Sequence, residues 1–418
     1  MRLLYSSNAP WAATGYGVQG KSLLPRLAKL PQFGGRENIA IFAWYGLQGG
    51  VHVVDGFRVY PAGTDPYGND IIRAHVQHFQ ADVVISLIDV WVMKGTAEKI
   101  APARWLPWLP IDHDPVPEVV LESLQGAYMP LTYSKWGHKL LRAVGVENMY
   151  IPHGIETDVF RLLTEEEQAN VRDFRRRLLG GEDCEHLTVM VAANKGFPDR
   201  KAFQVQLRAW AQFAKDKPHA RLYLHTEPTT IYGGLDLAKL CKRLDIEDKV
   251  YFPDRYLNFL GLPAEYLRWV YNAADVLLAS TMSEGFGLPI IEAQACGVPV
   301  VVTDFSAMPE LVRWGFKVPP KDLFWTQLNS WQAWPDVDGI QEALESLHQL
   351  WLDNGRQLPR SMRESASQRI HAEFSWDKIV EEHWGKLFAE IDGNTLDLQR
   401  PTKMVSRNGN RAIPVGIQ

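Results

Sequence analysis

Short apolar runs alternate with helix-length amphipathic segments along nearly the whole chain, and this rhythm permits few architectures. Runs such as Ile39–Trp44, Val83–Leu87 and Val298–Val302 are apolar on both faces, as strands covered on both sides must be. Helical spacing follows most of them, so the pattern predicts parallel α/β units. In the first half, strands are expected at Arg2–Ser6, Ile39–Trp44, Val83–Leu87, Trp105–Ile111, Met129–Tyr133 and Met149–Pro152. The second half repeats the scheme at Thr188–Ala192, Arg221–His225, Val250–Phe252, Asp275–Ala279 and Val298–Val302. Helices are predicted at Val18–Leu30, Lys135–Val144, Lys201–Lys215, Leu235–Leu244 and Pro263–Ala273. A length of 418 residues exceeds what one core serves and fits two domains. The charged run Thr164–Arg177, read as a helix, and the Gly180-Gly181 break mark the seam. That gives domains at 1–160 and 187–375, a last helix over 376–392 and a polar tail over 393–418.

The formal charge of −5 gives no electrostatic ground for binding nucleic acid. Cys184, Cys241 and Cys296 lie far apart, without zinc-ligand spacing, and suggest a reducing compartment with no disulfide framework. No apolar run reaches the ~20 residues needed to span a bilayer, and no signal-peptide segment precedes the first strand. The expectation is a cytoplasmic protein without a transmembrane segment. The 15 tryptophans are compatible with stacking on sugars, but most tryptophans of a globular chain fill cores and interfaces.

The densest chemical signal is Ser283-Glu284-Gly285-Phe286-Gly287-Leu288-Pro289-Ile290-Ile291-Glu292-Ala293. It follows the strand Asp275–Ala279 and opens a helix expected over Ile290–Ala295, with Pro289 at the first position, where a missing N–H costs nothing. The amides of Gly287 and Leu288 then stand free at the positive end of the helix dipole, suited to a phosphate or a sugar hydroxyl. Glu284 in the loop and Glu292 one turn into the helix can face one crevice.

In a second segment, Ala192–Lys201, Asp199 reads as an N-cap that places Arg200 and Lys201 in the first helical turn. Two cations there oppose the dipole, at a few tenths to ~1 kcal/mol each. The arrangement suits an arriving anion such as a nucleoside diphosphate, the alternative being side chains splayed into solvent. Gly15-Tyr16-Gly17-Val18-Gln19-Gly20 satisfies G-x-G-x-x-G, but it begins well after the strand end. The next strand also lacks the acid that would hold a ribose, which argues against hydride transfer. Asp112-His113-Asp114 offers either an acidic pair for a divalent ion or an imidazole for a sugar hydroxyl, a purely structural histidine being the third possibility.

The run Ser283–Val302, with glutamates eight positions apart and Cys296-Gly297-Val298-Pro299-Val300-Val301 behind them, resembles the Glu-x7-Glu signature of retaining family-four glycosyltransferases. Weaker similarity extends over most of residues 1–392. The resemblance implies the α/β GT-B fold, in which two Rossmann-like domains face each other across a cleft. The first would take the acceptor and the second the nucleotide-sugar donor, with the last helix packing back on the first domain. It implies a hexosyltransferase that needs neither metal nor other cofactor. Such an enzyme moves a sugar from a nucleoside-diphosphate sugar, UDP-sugars such as UDP-glucose foremost, to a hydroxyl-bearing glycan, lipid, protein or small molecule.

Within that frame Glu284, His113, Lys201 and Arg200 are the catalytic candidates. Glu292 would hold the ribose, and Gly285, Phe286, Gly287 and Leu288 the donor sugar. Asn194, which stands where the family often has an arginine, and Gly15 and Gly17, as a flexible loop over a diphosphate or an acceptor, would complete the donor site. Ser306-Ala307 replaces paired glycines common in the family, and Trp325–Trp334 reads as an insertion with no assigned role. Rival readings are a nucleotide-sugar epimerase or a phosphorylase on the same fold, or a non-catalytic nucleotide-sugar-binding subunit.

Overall fold

The computed structural model describes residues 1–196 and 198–393, so the tail expected over 393–418 lies, apart from Gly393, outside the described residues. The first sheet contains β1 (Leu3–Asn8), β2 (Ile39–Tyr45), β3 (His52–Val54), β4 (Phe57–Tyr60), β5 (Val83–Leu87), β6 (Arg104–Leu109), β7 (Leu131–Thr132) and β8 (Met149–Tyr150). Its order is β3-β4-β2-β1-β5-β6-β7-β8, parallel throughout except for β3 against β4. The second sheet contains β9 (His186–Val191), β10 (Ala220–His225), β11 (Val250–Tyr251), β12 (Val276–Ala279), β13 (Val300–Thr303) and β14 (Gly315–Val318), all parallel, in the order β11-β10-β9-β12-β13-β14. The central strands β1, β5 and β13 are buried along their whole length, which is why they read as unbroken apolar runs. The apolar-run reading does not find β3, β4 or β14; β3 and β14 each expose two residues, while β4 is short and mostly buried.

The Trp325–Trp334 segment is a two-stranded antiparallel hairpin, β15 (Asp322–Trp325) and β16 (Trp331–Trp334), outside both parallel sheets. At the seam, the single helix expected over Thr164–Arg177 is two, Glu165–Gln168 and Val171–Leu178, the first held by a capping box between Thr164 and Glu167. After the helix Arg360–Phe374 the chain returns to the first domain. There Trp384 packs on Trp108 with ring centroids 5.1 Å apart, Phe388 packs on Phe33 at 4.7 Å, and Arg26 pairs with Asp377 at 2.6 Å. This last helical stretch is interrupted by a wider π turn over Val380–Trp384.

Candidate functional site

The carboxyl ends of parallel strands are where open α/β sheets bind ligands, and here the ends of both sheets meet. Gly285 marks the contact. A Cβ at that position would lie 2.4 Å from Pro110 Cβ, just past β6, and 3.2 Å from the Tyr133 ring, so only glycine lets the loops approach this closely. Phe286 beside it is buried edge-on against His153, at 5.3 Å, and against Tyr133, at 6.5 Å. Its side chain therefore fills the domain interface and leaves only its backbone for a ligand. Gly287, with φ 115°, is the N-cap of a helix running Leu288–Ala295. The helix starts two residues earlier than expected, which makes Pro289 its second residue.

Gly15 lies against Leu288, whose Cδ1 would be 3.7 Å from a Cβ placed on that glycine. It is not in a flexible loop. Thr14 accepts the Gly17 amide at 3.1 Å and caps a helix over Gly15–Leu27, so the glycines form its first turns. Gly17 serves close packing, since a Cβ there would sit 2.4 Å from the Ala12 carbonyl oxygen.

Charge concentrates at Glu284. Lys201 Nζ stands 2.5 Å from Glu284 Oε1, and Arg200 Nη1 stands 3.4 Å from Oε2 while donating to the Ser283 carbonyl at 2.5 Å. Burial opposes ionisation of Glu284, but the Lys201 and Arg200 charges prevail and hold it below the ordinary carboxylate range. Burial likewise works against the Arg200 charge, and Glu284, Asp112 and Asp89 together raise its pKa further. The two cations precede the helix instead of occupying its first turn. That helix begins at Phe203, after Ala202 takes a left-handed conformation with φ 52°. Asp199 caps from outside, accepting the Gln204 amide at 3.2 Å, so the cations do not oppose the dipole from within the first turn.

The Asn194 side chain is engaged within its own domain. Its Nδ2 donates to the carbonyls of Glu227, Thr229 and Leu235, and its Oδ1 accepts the Leu235 amide at 2.8 Å. The side chain is occupied in pinning the loop 226–235. Glu292 is buried and accepts the Tyr271 hydroxyl at 2.9 Å; burial pushes its carboxyl up to about 7, against the lowering effect of that bond. The two glutamates thus differ in surroundings. A small cavity lined by Lys201, Gln206, Glu284, Gly287 and Pro289 has Glu284 but not Glu292 in its wall.

Across from this cluster, His113 is buried with Nδ1 2.7 Å from Asp112 Oδ1. A carboxylate accepts only, so Nδ1 carries the proton and Nε2 is left to bond elsewhere. Burial disfavours the Asp112 charge, yet His113, Arg200 and Lys201 keep its pKa low. Asp114 engages through its backbone with Trp331, and burial raises its carboxyl pKa. Among the described residues no group of three or more His, Cys, Asp or Glu side chains is placed to hold a metal ion. Sequence reasoning missed Asp89, two residues past β5, whose carboxyl burial and the Asp112 charge push up to about 6, and the hydrogen-bonded pair Tyr16 and Tyr133. Asp89 had a signal, an acid just past the carboxyl end of a parallel strand.

Two facing parallel α/β domains joined by a returning C-terminal helix define the GT-B class. Residues 187–328, which include Glu284 and Glu292, match the family model "Glycosyl transferases group 1". Among curated relatives, the O-antigen chain mannosyltransferase B of Escherichia coli is 47% identical over 70 residues, covering 16% of this chain and 18% of that protein. A D-inositol 3-phosphate glycosyltransferase of Mycolicibacterium smegmatis is 26% identical over 234 residues, covering 54% and 44%. The chain spans less than half the length of the curated relatives it matches. Sucrose-phosphate synthase from Thermosynechococcus elongatus shares the fold, with a TM-score of 0.70, 18% identity and coverage of 94% of this chain and 100% of that one. HepE of Anabaena, solved in complex with UDP and glucose, superposes with a TM-score of 0.65 at 15% identity, covering 93% and 100%. No helix among the described residues is long and apolar enough to cross a membrane.

Proposed function

We propose that the chain is a retaining glycosyltransferase that moves a hexose from a UDP-sugar to a hydroxyl-bearing acceptor and needs no metal. One observation carries the reading: Lys201 and Arg200 converge on Glu284 at the mouth of the helix Leu288–Ala295, across from Asp112 and His113. A diphosphate offers these cations more charge and more acceptor oxygens than one carboxylate does. On its arrival Lys201 and Arg200 turn to the phosphates, beside the amides of Gly287 and Leu288 at the helix N-terminus. Glu284 is thereby released to accept a hydroxyl of the donor sugar, while Glu292 takes the ribose. The bond between the anomeric carbon and the phosphate oxygen breaks as the acceptor oxygen bonds that carbon from the same face. The departing phosphate oxygen takes the acceptor's proton, so no protein base is required. Negative charge grows on the diphosphate, where the two cations stabilise it most. His113 Nε2 accepts a hydrogen bond from the sugar.

The test is calorimetry with UDP, GDP and ADP, then NMR of the product formed from the matching sugar nucleotide. The expected product keeps the anomeric configuration of the donor. An inverted product, or an epimerised nucleotide sugar with no transfer, would overturn the reading.

A further inference from the structure

The β15–β16 hairpin belongs to neither parallel sheet, yet β16 is fastened to both walls of the cleft. Toward the first domain, the Trp331 amide donates to the Asp114 carbonyl at 2.8 Å and the Asp114 amide donates to the Trp331 carbonyl at 3.2 Å. Asp114 directly follows His113. Toward the second domain, Gln332 Nε2 donates to Ser283 Oγ at 2.7 Å and the Ala333 amide donates to the Met282 carbonyl at 3.0 Å. Ser283 directly precedes Glu284, and both Gln332 and Ser283 are buried. Three consecutive residues therefore tie position 114 to positions 282–283. The hairpin is itself braced, because the opposed Trp325 and Trp331 rings meet edge-on at 4.6 Å and the tip is closed by Thr326 on the Ser330 carbonyl.

A second cross-domain contact limits how far the same first-domain segment can turn. The Glu310 carboxylate accepts the amides of Lys135 and Trp136 at 2.9 and 3.1 Å, at the start of the helix Lys135–Ala143. Trp136 packs on Phe305 at 5.7 Å. With both contacts made, the segment from Asp112 to Trp136 is registered on the second domain at each end.

We propose that Trp331, through its backbone, and Gln332 are positioning residues that hold His113 in register with Glu284 across the cleft. This rests on the donor-site reading given above. A backbone pair of the sheet type fixes the two Cα atoms at ~5 Å, so the His113 loop cannot slide along the second domain while the pair persists. A misplacement of about 1 Å at reacting groups costs on the order of a hundredfold in rate. Gln332 sets the other end of the ruler through Ser283. Neither residue needs to touch substrate.

The experiment uses the full chain. Gln332→Met keeps side-chain length and removes the bond to Ser283; Trp331→Pro removes the amide that bonds Asp114. Each variant is expected to lower the turnover of UDP-sugar transfer at least tenfold while the Kd of UDP alone changes less than twofold. Amide hydrogen exchange over 112–116 should rise at least tenfold, with the helix Leu288–Ala295 still protected. Should Trp331→Pro fail to fold, Gln332→Met carries the test. Wild-type turnover despite faster exchange would overturn the proposal, as would unchanged exchange in a well-folded variant. If the wild-type chain binds no UDP and transfers no sugar, the donor-site reading fails. The exchange measurement, which needs no ligand, then decides alone whether the hairpin registers the His113 loop.

Discussion

Glu284→Gln tests whether the cation pair is held in reserve for a diphosphate. The carboxylate stands 2.5 Å from Lys201 Nζ and 3.4 Å from Arg200 Nη1, with 14% of its side chain exposed. Unit charges ~4 Å apart attract by about 4 kcal/mol at an effective dielectric near 20, and lost hydration offsets part of that. Hydrogen bonds to charged groups of this kind are worth a net ~1.5–3 kcal/mol, so the variant should lose about 2 kcal/mol of stability and ~4–8 °C in melting temperature. On the proposed reading, bound UDP gives the cations a new partner and in wild type must first displace Glu284. The variant is spared that displacement. It should bind UDP more tightly by the same ~2 kcal/mol, roughly thirtyfold, and show a larger rise in melting temperature on adding UDP. Transfer should nevertheless fall, because glutamine replaces the carboxylate proposed to take the sugar hydroxyl. Calorimetry and thermal melts on the same preparations are sufficient. A folded variant whose UDP affinity is unchanged or weaker would refute the displacement argument.

Glu292 has its carboxyl raised from 4.5 to about 7 by burial, so its contribution to stability is present below pH ~4.5 and is lost as the pH climbs through 7. Glu292→Gln should flatten that loss, gaining on the order of 2–3 kcal/mol relative to wild type between pH 5 and pH 8 in denaturant titrations. Equal slopes for the two proteins would show that the carboxyl is not raised. His113→Ala should slow transfer by the equivalent of ~0.5–1.5 kcal/mol while the Kd of UDP stays put, whereas a parallel drop in melting temperature and affinity would mark a structural histidine. Transfer should survive EDTA; activity lost to chelation and restored by Mn²⁺ would return Asp112 and Asp114 as ligand candidates.

What was legible in the sequence was local. The strand, loop, proline and helix from Asp275 to Ala295 are written in contiguous residues, and the structure differs there by two positions at the helix start. The misplacement of Arg200 and Lys201 turns on Ala202, whose left-handed φ of 52° no propensity predicts because alanine rarely adopts it. Asn194 reads as a ligand from the sequence because it stands in a segment that resembles a phosphate-binding element. Its partners Glu227, Thr229 and Leu235 lie more than thirty positions away, and their carbonyls carry no sequence signal. The role of Trp331 was hidden for the same reason, since its pairing with Asp114 is backbone to backbone over 217 positions of chain. Asp89 and Tyr133 enter the cleft only once β5, β6 and β7 are known to be adjacent.

The returning helices also bear on how the protein is made. Trp384 covers Trp108, and Phe388 covers Phe33, so the domain that leaves the ribosome first is the one finished last. At about 5–20 residues per second, the stretch between the seam and Phe388 takes on the order of tens of seconds to translate. Throughout that interval the nascent first domain carries an uncovered aromatic face, a surface that invites chaperones or wrong neighbours. Biosynthesis therefore imposes its order on this molecule through the path of the helices that follow Phe374.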